Sequence, residues 1–161
     1  MNDDTTVFTI SASEYRALQA LARFQLIEFS LKLYLARLHQ LSSLSALPAD
    51  SKQTWSFAEL DEQPFGILLK RFANHCSDTE LVARLRAIKP ARNIVAHRAV
   101  AYCRPEFKDL FGNEHVPSND QLTTWAADAD KCLEDLTPVL DKVFSIRHVP
   151  GNPANPDRPP L

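Results

Sequence analysis

The chain has 161 residues, 45% of them hydrophobic, with three glycines, eleven prolines and a formal net charge of −2. That length fits one domain with a real core. So little glycine, against a usual level of about 7%, argues against all-β folds with glycine-bearing turns and against glycine-rich phosphate loops. No apolar run approaches the roughly 18 residues of a membrane span, and five of the prolines fall in the last twelve residues. The expectation is a soluble, mostly helical domain with a proline-rich end. Cys76, Cys103 and Cys132 are far apart and form no C-x-x-C pair, which points to reduced thiols rather than a zinc knuckle or redox pair. The start, Met1-Asn2-Asp3-Asp4, is acidic and no apolar h-region follows it, so a cytoplasmic location is expected.

Taken along the chain, residues 1–10 read as an extension, 11–148 as the helical unit and 149–161 as a flexible tail. Ser11-Ala12-Ser13-Glu14 has capping-box spacing. No Pro or Gly interrupts from there to about Leu44, which predicts a helix of roughly 30 residues, about 45 Å long. One apolar stripe runs through Ala17, Leu21, Phe24, Leu31, Leu35 and Leu38, and a second through Leu26, Phe29, Leu33 and Tyr34. Two apolar faces exceed what a small bundle needs. The second is covered either by a second copy of the chain or inside one subunit. Glu28 interrupts the first stripe where a leucine is expected. A carboxylate there needs a cation or donor, so it is either a site residue or half of a structural ion pair.

Pro48 ends that region. The stretch 49–63 is polar, with Trp55, Phe57 and Leu60 as anchors. Pro64 fits the first position of a second helix, and Phe65, Leu68, Leu69 and Phe72 carry it to about His75. Ser77-Asp78-Thr79-Glu80 is another capping box, opening a third helix with Leu81, Leu85 and Ile88 on one face. Pro90 predicts a kink or restart in it, and Val100, Tyr102 and Pro105 its end. Residues 104–117 read as a loop with Gly112 and Pro117. Ser118-Asn119-Asp120-Gln121 caps a fourth helix, carrying Leu122, Trp125, Ala129, Cys132, Leu136, Leu140 and Val143, with Pro138 bending its end. The expectation is an all-α, four-helix up-and-down bundle with a kinked third helix.

Charge is segregated on this frame. Residues 84–98 hold Arg84, Arg86, Lys89, Arg92 and Arg98 and no acid, whereas 120–135 hold Asp120, Asp128, Asp130, Glu134 and Asp135 against Lys131. Such a chain can bind phosphate at one place without coating itself in nucleic acid. The plainer alternative is a solvated basic face paired with the acidic helix. Asn93 and His97 are four apart, hence on one helical face. Arg92 and His97 are five apart, about 140° around an ideal helix and about 7.5 Å along it, so a long arginine has to swing to meet the histidine. His39, His75, His115 and His148 show no mutual ligand spacing, so neither a metal nor a cofactor is expected.

Arg92-Asn93-Ile94-Val95-Ala96-His97 resembles the arginine–four residues–histidine motif of the HEPN superfamily (higher eukaryotes and prokaryotes nucleotide-binding domains). Asn93 supplies the polar residue that motif favours after the arginine, and Ala96 and Arg98 flank the histidine in a familiar way. The four helices, with the motif late in the third, agree over about 11–146. The 49–63 connection and the tail fall outside the pattern. The resemblance implies a metal-independent endoribonuclease with its site at a homodimer cleft, in a prokaryotic toxin–antitoxin or defence system beside a nucleotidyltransferase-like antitoxin. It implies His97 as general base or acid, Arg92 as phosphate stabiliser and Asn93 in support. Glu28 is a weaker addition, since some members place an acidic group near the site. Arg84, Arg86, Lys89 and Arg98 would hold RNA phosphates. The physical chemistry is consistent: a 2′-hydroxyl attacking the adjacent phosphate needs a base in the titration range of histidine and fixed positive charge on the phosphate oxygens. Two other readings stand beside it: a non-catalytic HEPN module binding RNA, a nucleotide or a protein, and a helical interaction protein in which the motif is accidental.

Overall fold

The computed structural model describes residues 10–44, 57–99 and 117–146, and all its regular structure there is helical: α1 (Ala12–Leu44), α2 (Phe57–Asp61), α3 (Phe65–Ala73), α4 (Thr79–Ile94), a π-helical turn (Val95–Ala99) and α5 (Asn119–Ser145). The expected extension (except Ile10), the proline-rich tail, Trp55, Cys103 and most of the 104–117 loop lie outside the described residues. No described helix is long and apolar enough to cross a membrane.

Local chemistry sets the helix ends. Ser11 and Glu14 form the reciprocal box before α1: Glu14 N–H donates to Ser11 Oγ at 3.1 Å and Ser11 N–H to Glu14 Oε2 at 2.9 Å. Ser118 and Gln121 do the same for α5. At α4 the cap is one residue later than the Ser77 box predicts: Asp78 Oδ1 accepts from Leu81 N–H at 2.9 Å, and aspartate serves there as well as serine. Pro64 likewise precedes α3 as its N-cap, with φ −59° and ψ 145°, instead of opening it. α2 forms inside the stretch read as polar connection, anchored by the buried Leu60.

Neither internal proline breaks its helix. α4 runs through Pro90 and α5 through Pro138. Both prolines are exposed, so the carbonyl each deprives of an N–H partner can be hydrated. The departure from α geometry expected at Pro90 comes instead at Val95, where the turn widens.

The core forms where the apolar faces meet. Phe24, Ile27, Leu31 and Leu35 of α1, Phe65, Leu68 and Phe72 of α3, Leu81 and Leu85 of α4, and Leu122, Ala129 and Leu136 of α5 are all buried. α1 is the central element, packing on α5, α3, α2 and the π-helical turn. Tyr34, expected on the second apolar face, is also buried. Its ring meets Phe72 edge-on at 4.9 Å, and its hydroxyl donates to the His75 carbonyl at 3.1 Å. That satisfied hydroxyl lets the ring enter the core.

Polar ties fix direction. Arg23 Nε donates to Asp130 Oδ1 at 2.7 Å, and Arg37 Nη2 to the Ile146 carbonyl at 2.8 Å. The paired positions advance together, so α1 and α5 run the same way. A strict up-and-down order would oppose them. The chain recrosses before α3: α2 lies back beside Phe29 and Lys32, near the middle of α1, so α3 starts from there rather than from the C-terminal end of α1.

Burial pushes the Cys132 thiol from an ordinary 9.0 up to about 11, with the Arg84 charge opposing and the Asp135 and Asp128 carboxylates adding to the rise. The native state therefore keeps this proton where the unfolded chain loses it. Its contribution is fully present below about 9 and declines as pH rises toward 11. The urea midpoint should fall across that range, and less steeply in Cys132→Ala than in the parent chain.

Candidate functional site

Helix α4 divides the basic run among different jobs. Arg84 faces α5, with Nη2 2.8 Å from Asp135 Oδ2 and Nη1 3.7 Å from Glu80. It is a brace between the basic and acidic helices. Ala87, Ile88, Ile94, Trp125 and Cys132 line an adjoining, mainly apolar cleft of about 380 Å³ between α4 and α5. Arg86 and Lys89 are exposed on another side of α4. The end of Lys89 lies over Gly66 of α3, where a Cβ would stand 3.0 Å from Nζ. Neither makes an ion pair among the described residues. The Arg98 side chain lies outside the described residues.

Arg92 turns inward. Its Nη2 donates to Glu28 Oε2 at 2.6 Å, and the two side chains are only 17% and 18% exposed. Nη1 lies 3.3 Å from Asn93 Oδ1, and the guanidinium sits 5.5 Å from the centre of the Phe65 ring, a cation–π contact. The network continues past Glu28. Lys32, 8% exposed, is 3.9 Å from Glu28 Oε1 and donates to Asp61 Oδ1 at 2.7 Å and to the Asp61 carbonyl at 3.1 Å. Charges thus alternate Arg92, Glu28, Lys32, Asp61 across α4, α1 and α2. Each charge has an opposite neighbour, as the partial burial of Arg92, Glu28 and Lys32 requires.

These residues edge a cleft of about 340 Å³ lined by Phe24, Gln25, Glu28, Lys32, Arg92 and Ala96, among others. Asn93 and His97 are exposed beside it. His97 makes no hydrogen bond or ion pair among the described residues. Arg92 therefore swings toward Glu28, not toward the histidine as the motif suggested. The π-helical turn compensates in part. Its i→i+5 geometry advances less per residue than α geometry, which rotates His97 back toward the faces of Asn93 and Arg92. Of the sequence candidates, the fold brings Glu28, Arg92 and Asn93 into contact, places His97 one turn on, and sends Arg84 elsewhere.

Lys32, Asp61 and Phe65 were not singled out from the sequence. Glu28-to-Lys32 spacing, i to i+4 on a helix, was a legible signal, as was a lysine flanked by Leu31, Leu33 and Tyr34. Asp61 had none, because its contact depends on where α2 folds back.

Arg92 can present its remaining N–H groups to an anion while Glu28 holds the fork in place. Asn93 can orient a ligand, and His97 can exchange a proton with one reaching past the cleft. No group of three His, Cys, Asp or Glu side chains converges as a metal-ligand set among the described residues. No family model, curated protein or solved structure matches this chain.

The Glu28–Arg92 pair should be energetically coupled. Glu28→Gln is expected to cost about 2–3 kcal/mol by leaving Arg92 poorly compensated. The double variant Glu28→Gln/Arg92→Gln should cost less than the sum of the singles by about 1 kcal/mol or more. Urea unfolding of the four proteins measures this, and simple additivity would show the pair to be screened by solvent.

Proposed function

We propose that this chain is a HEPN-like, metal-independent endoribonuclease of a four-helix architecture, working in the cytoplasm as a homodimer. Its setting would be a prokaryotic toxin–antitoxin or defence system, with a nucleotidyltransferase-like antitoxin as partner. The carrying observation is Arg92, held by Glu28 in the wall of a cleft, with Asn93 in contact and His97 exposed on the adjoining π-helical turn. π-Turns within helices are often found at functional sites.

In this reading His97 takes the proton from an RNA 2′-hydroxyl. That oxygen attacks the adjacent phosphorus, and the 5′-oxygen of the next nucleotide leaves, taking a proton from water, while His97 afterwards releases the proton it accepted to solvent. The products carry a 2′,3′-cyclic phosphate and a 5′-hydroxyl. Arg92 stabilises charge on the phosphoryl oxygens. Asn93 orients the phosphate or the imidazole. Glu28 is a positioning residue, because it reaches RNA only through Arg92. Arg86 and Lys89, exposed on the same helix, hold the flanking phosphates. Arg84 is already committed to Asp135 and contributes least.

Purified protein should cut RNA in the presence of EDTA and leave those ends. His97→Ala should lower the rate by about 10²-fold or more without changing stability, since His97 is exposed. The Arg92–Glu28 pair also supports a second reading, in which Arg92 is mainly structural and the module binds RNA without cutting it. RNA bound but left intact, with and without a neighbour-encoded partner, would select that reading. In either case Lys89→Ala or Arg86→Ala should weaken single-strand binding. Each should reduce the slope of log affinity against log salt by about 0.7.

A further inference from the structure

We infer that Asp61 positions Arg92 through two intermediaries: by holding Lys32 away from Glu28, it leaves Glu28 to hold the arginine. Both cations approach the Glu28 carboxylate, one at each oxygen. Arg92 Nη2 is 2.6 Å from Oε2, whereas Lys32 Nζ stands 3.9 Å from Oε1. The first contact is a hydrogen bond and the second is not. The lysine is detained elsewhere. Asp61 accepts from it at Oδ1, 2.7 Å away, and at the main-chain carbonyl, 3.1 Å away. Asp61 is the last residue of α2, and a terminal carbonyl has no partner inside its own helix. Glu28 Oε1 accepts no hydrogen bond among the described residues.

This partition of charge can be shifted. Glu28 and Lys32 stand at i and i+4 on α1, so their side chains can meet without backbone movement. Moving Nζ by about 1 Å would bring it to hydrogen-bond distance of Oε1. Lys32 is 8% exposed, and an ammonium buried so far needs a carboxylate. Among the described residues Glu28 is the only carboxylate besides Asp61 within 4.0 Å of it. Without the Asp61 charge, two cations share one carboxylate, and Glu28 is satisfied whether or not Arg92 is there. The guanidinium then loses the grip that holds it in the cleft wall.

Asp61 is also the solvent-facing end of the row. Its side chain is 65% exposed, against 10% for Lys32, so the cleft can be tuned there without being entered. α2 has other anchors, in the buried Leu60 and in Phe57 edge-on to Phe29. Loss of the Asp61 carboxylate therefore need not release it.

The inference rests on this ion-pair geometry; only its bearing on cleavage rests on the ribonuclease reading. Urea unfolding of the Glu28→Gln/Arg92→Gln cycle tests it. In the parent chain the coupling should be about fivefold in the unfolding constant, equal to about 1 kcal/mol. In an Asp61→Ala background it should fall below about twofold. Adding Lys32→Met, similar in length but uncharged, should restore it to about fivefold. A residue that merely pinned α2 would show no such rescue, because the second substitution would only deepen the loss. Absence of coupling in the parent chain would overturn the inference. So would coupling unchanged by Asp61→Ala, or lowered by it and not restored by Lys32→Met. On the ribonuclease reading Asp61→Ala should also lower kcat more than it raises KM, with recovery in the Lys32→Met/Asp61→Ala variant. A parent chain that leaves RNA intact would count against that reading alone, since the unfolding cycles need no RNA.

Discussion

The structure turns on a carboxylate that the helix pattern places beside the core. Glu28 sits on the flank of α1 between buried and exposed stripes, and its charge must be met there. Arg92 meets it from α4, and Lys32 and Asp61 extend the compensation to α2. The same pair that fixes the approach of α4 to α1 also fixes the guanidinium at the cleft. A surface ion pair would do neither, because solvent would screen it and leave both side chains mobile. Phe65 adds a ring under the guanidinium, so the arginine is held from two sides with some of its donors still uncommitted.

α1 is then asked to serve three directions. One face builds the core with α3 and α5, one flank carries the charged network, and the opposite face leaves Tyr15, Leu18, Leu26 and Phe29 exposed. A helix of 33 residues is long enough for this only because its three sets of positions repeat in phase along it. A substitution at an exposed position of this helix therefore need not disturb its buried face, whereas one at Glu28 bears on stability and site geometry together.

Much of the fold was legible in the chain. The boxes at Ser11 and Ser118 act locally, within three residues, and hold as read. The Ser77 box shifts to Asp78 because two good caps compete over one residue. The periodicity of Leu81, Leu85 and Ile88, and of Leu122, Ala129 and Leu136, identifies faces that are indeed buried. Tyr34 misled because periodicity cannot tell that a hydroxyl will find the His75 carbonyl. Pro90 misled because its penalty depends on whether water reaches the orphaned carbonyl. The parallel run of α1 and α5 could not be read, since nothing local records how the polar connection recrosses the molecule.

The sequence by itself determined the helical class, the ends of the long helices, the basic run from Arg84 to Arg98 and the nearness of Arg92, Asn93 and His97 along one helix. Each follows from interactions within a few residues. Tertiary structure decided which member of the basic run faces α5, which faces solvent and which is locked to Glu28. It also decided that the turn at Val95 widens. Those outcomes depend on side chains 64 or 51 positions apart, as for Arg92 with Glu28 and Arg84 with Asp135. Only the packing of helices brings such groups within reach, and for Arg92 and Glu28 it also shields the pair from solvent.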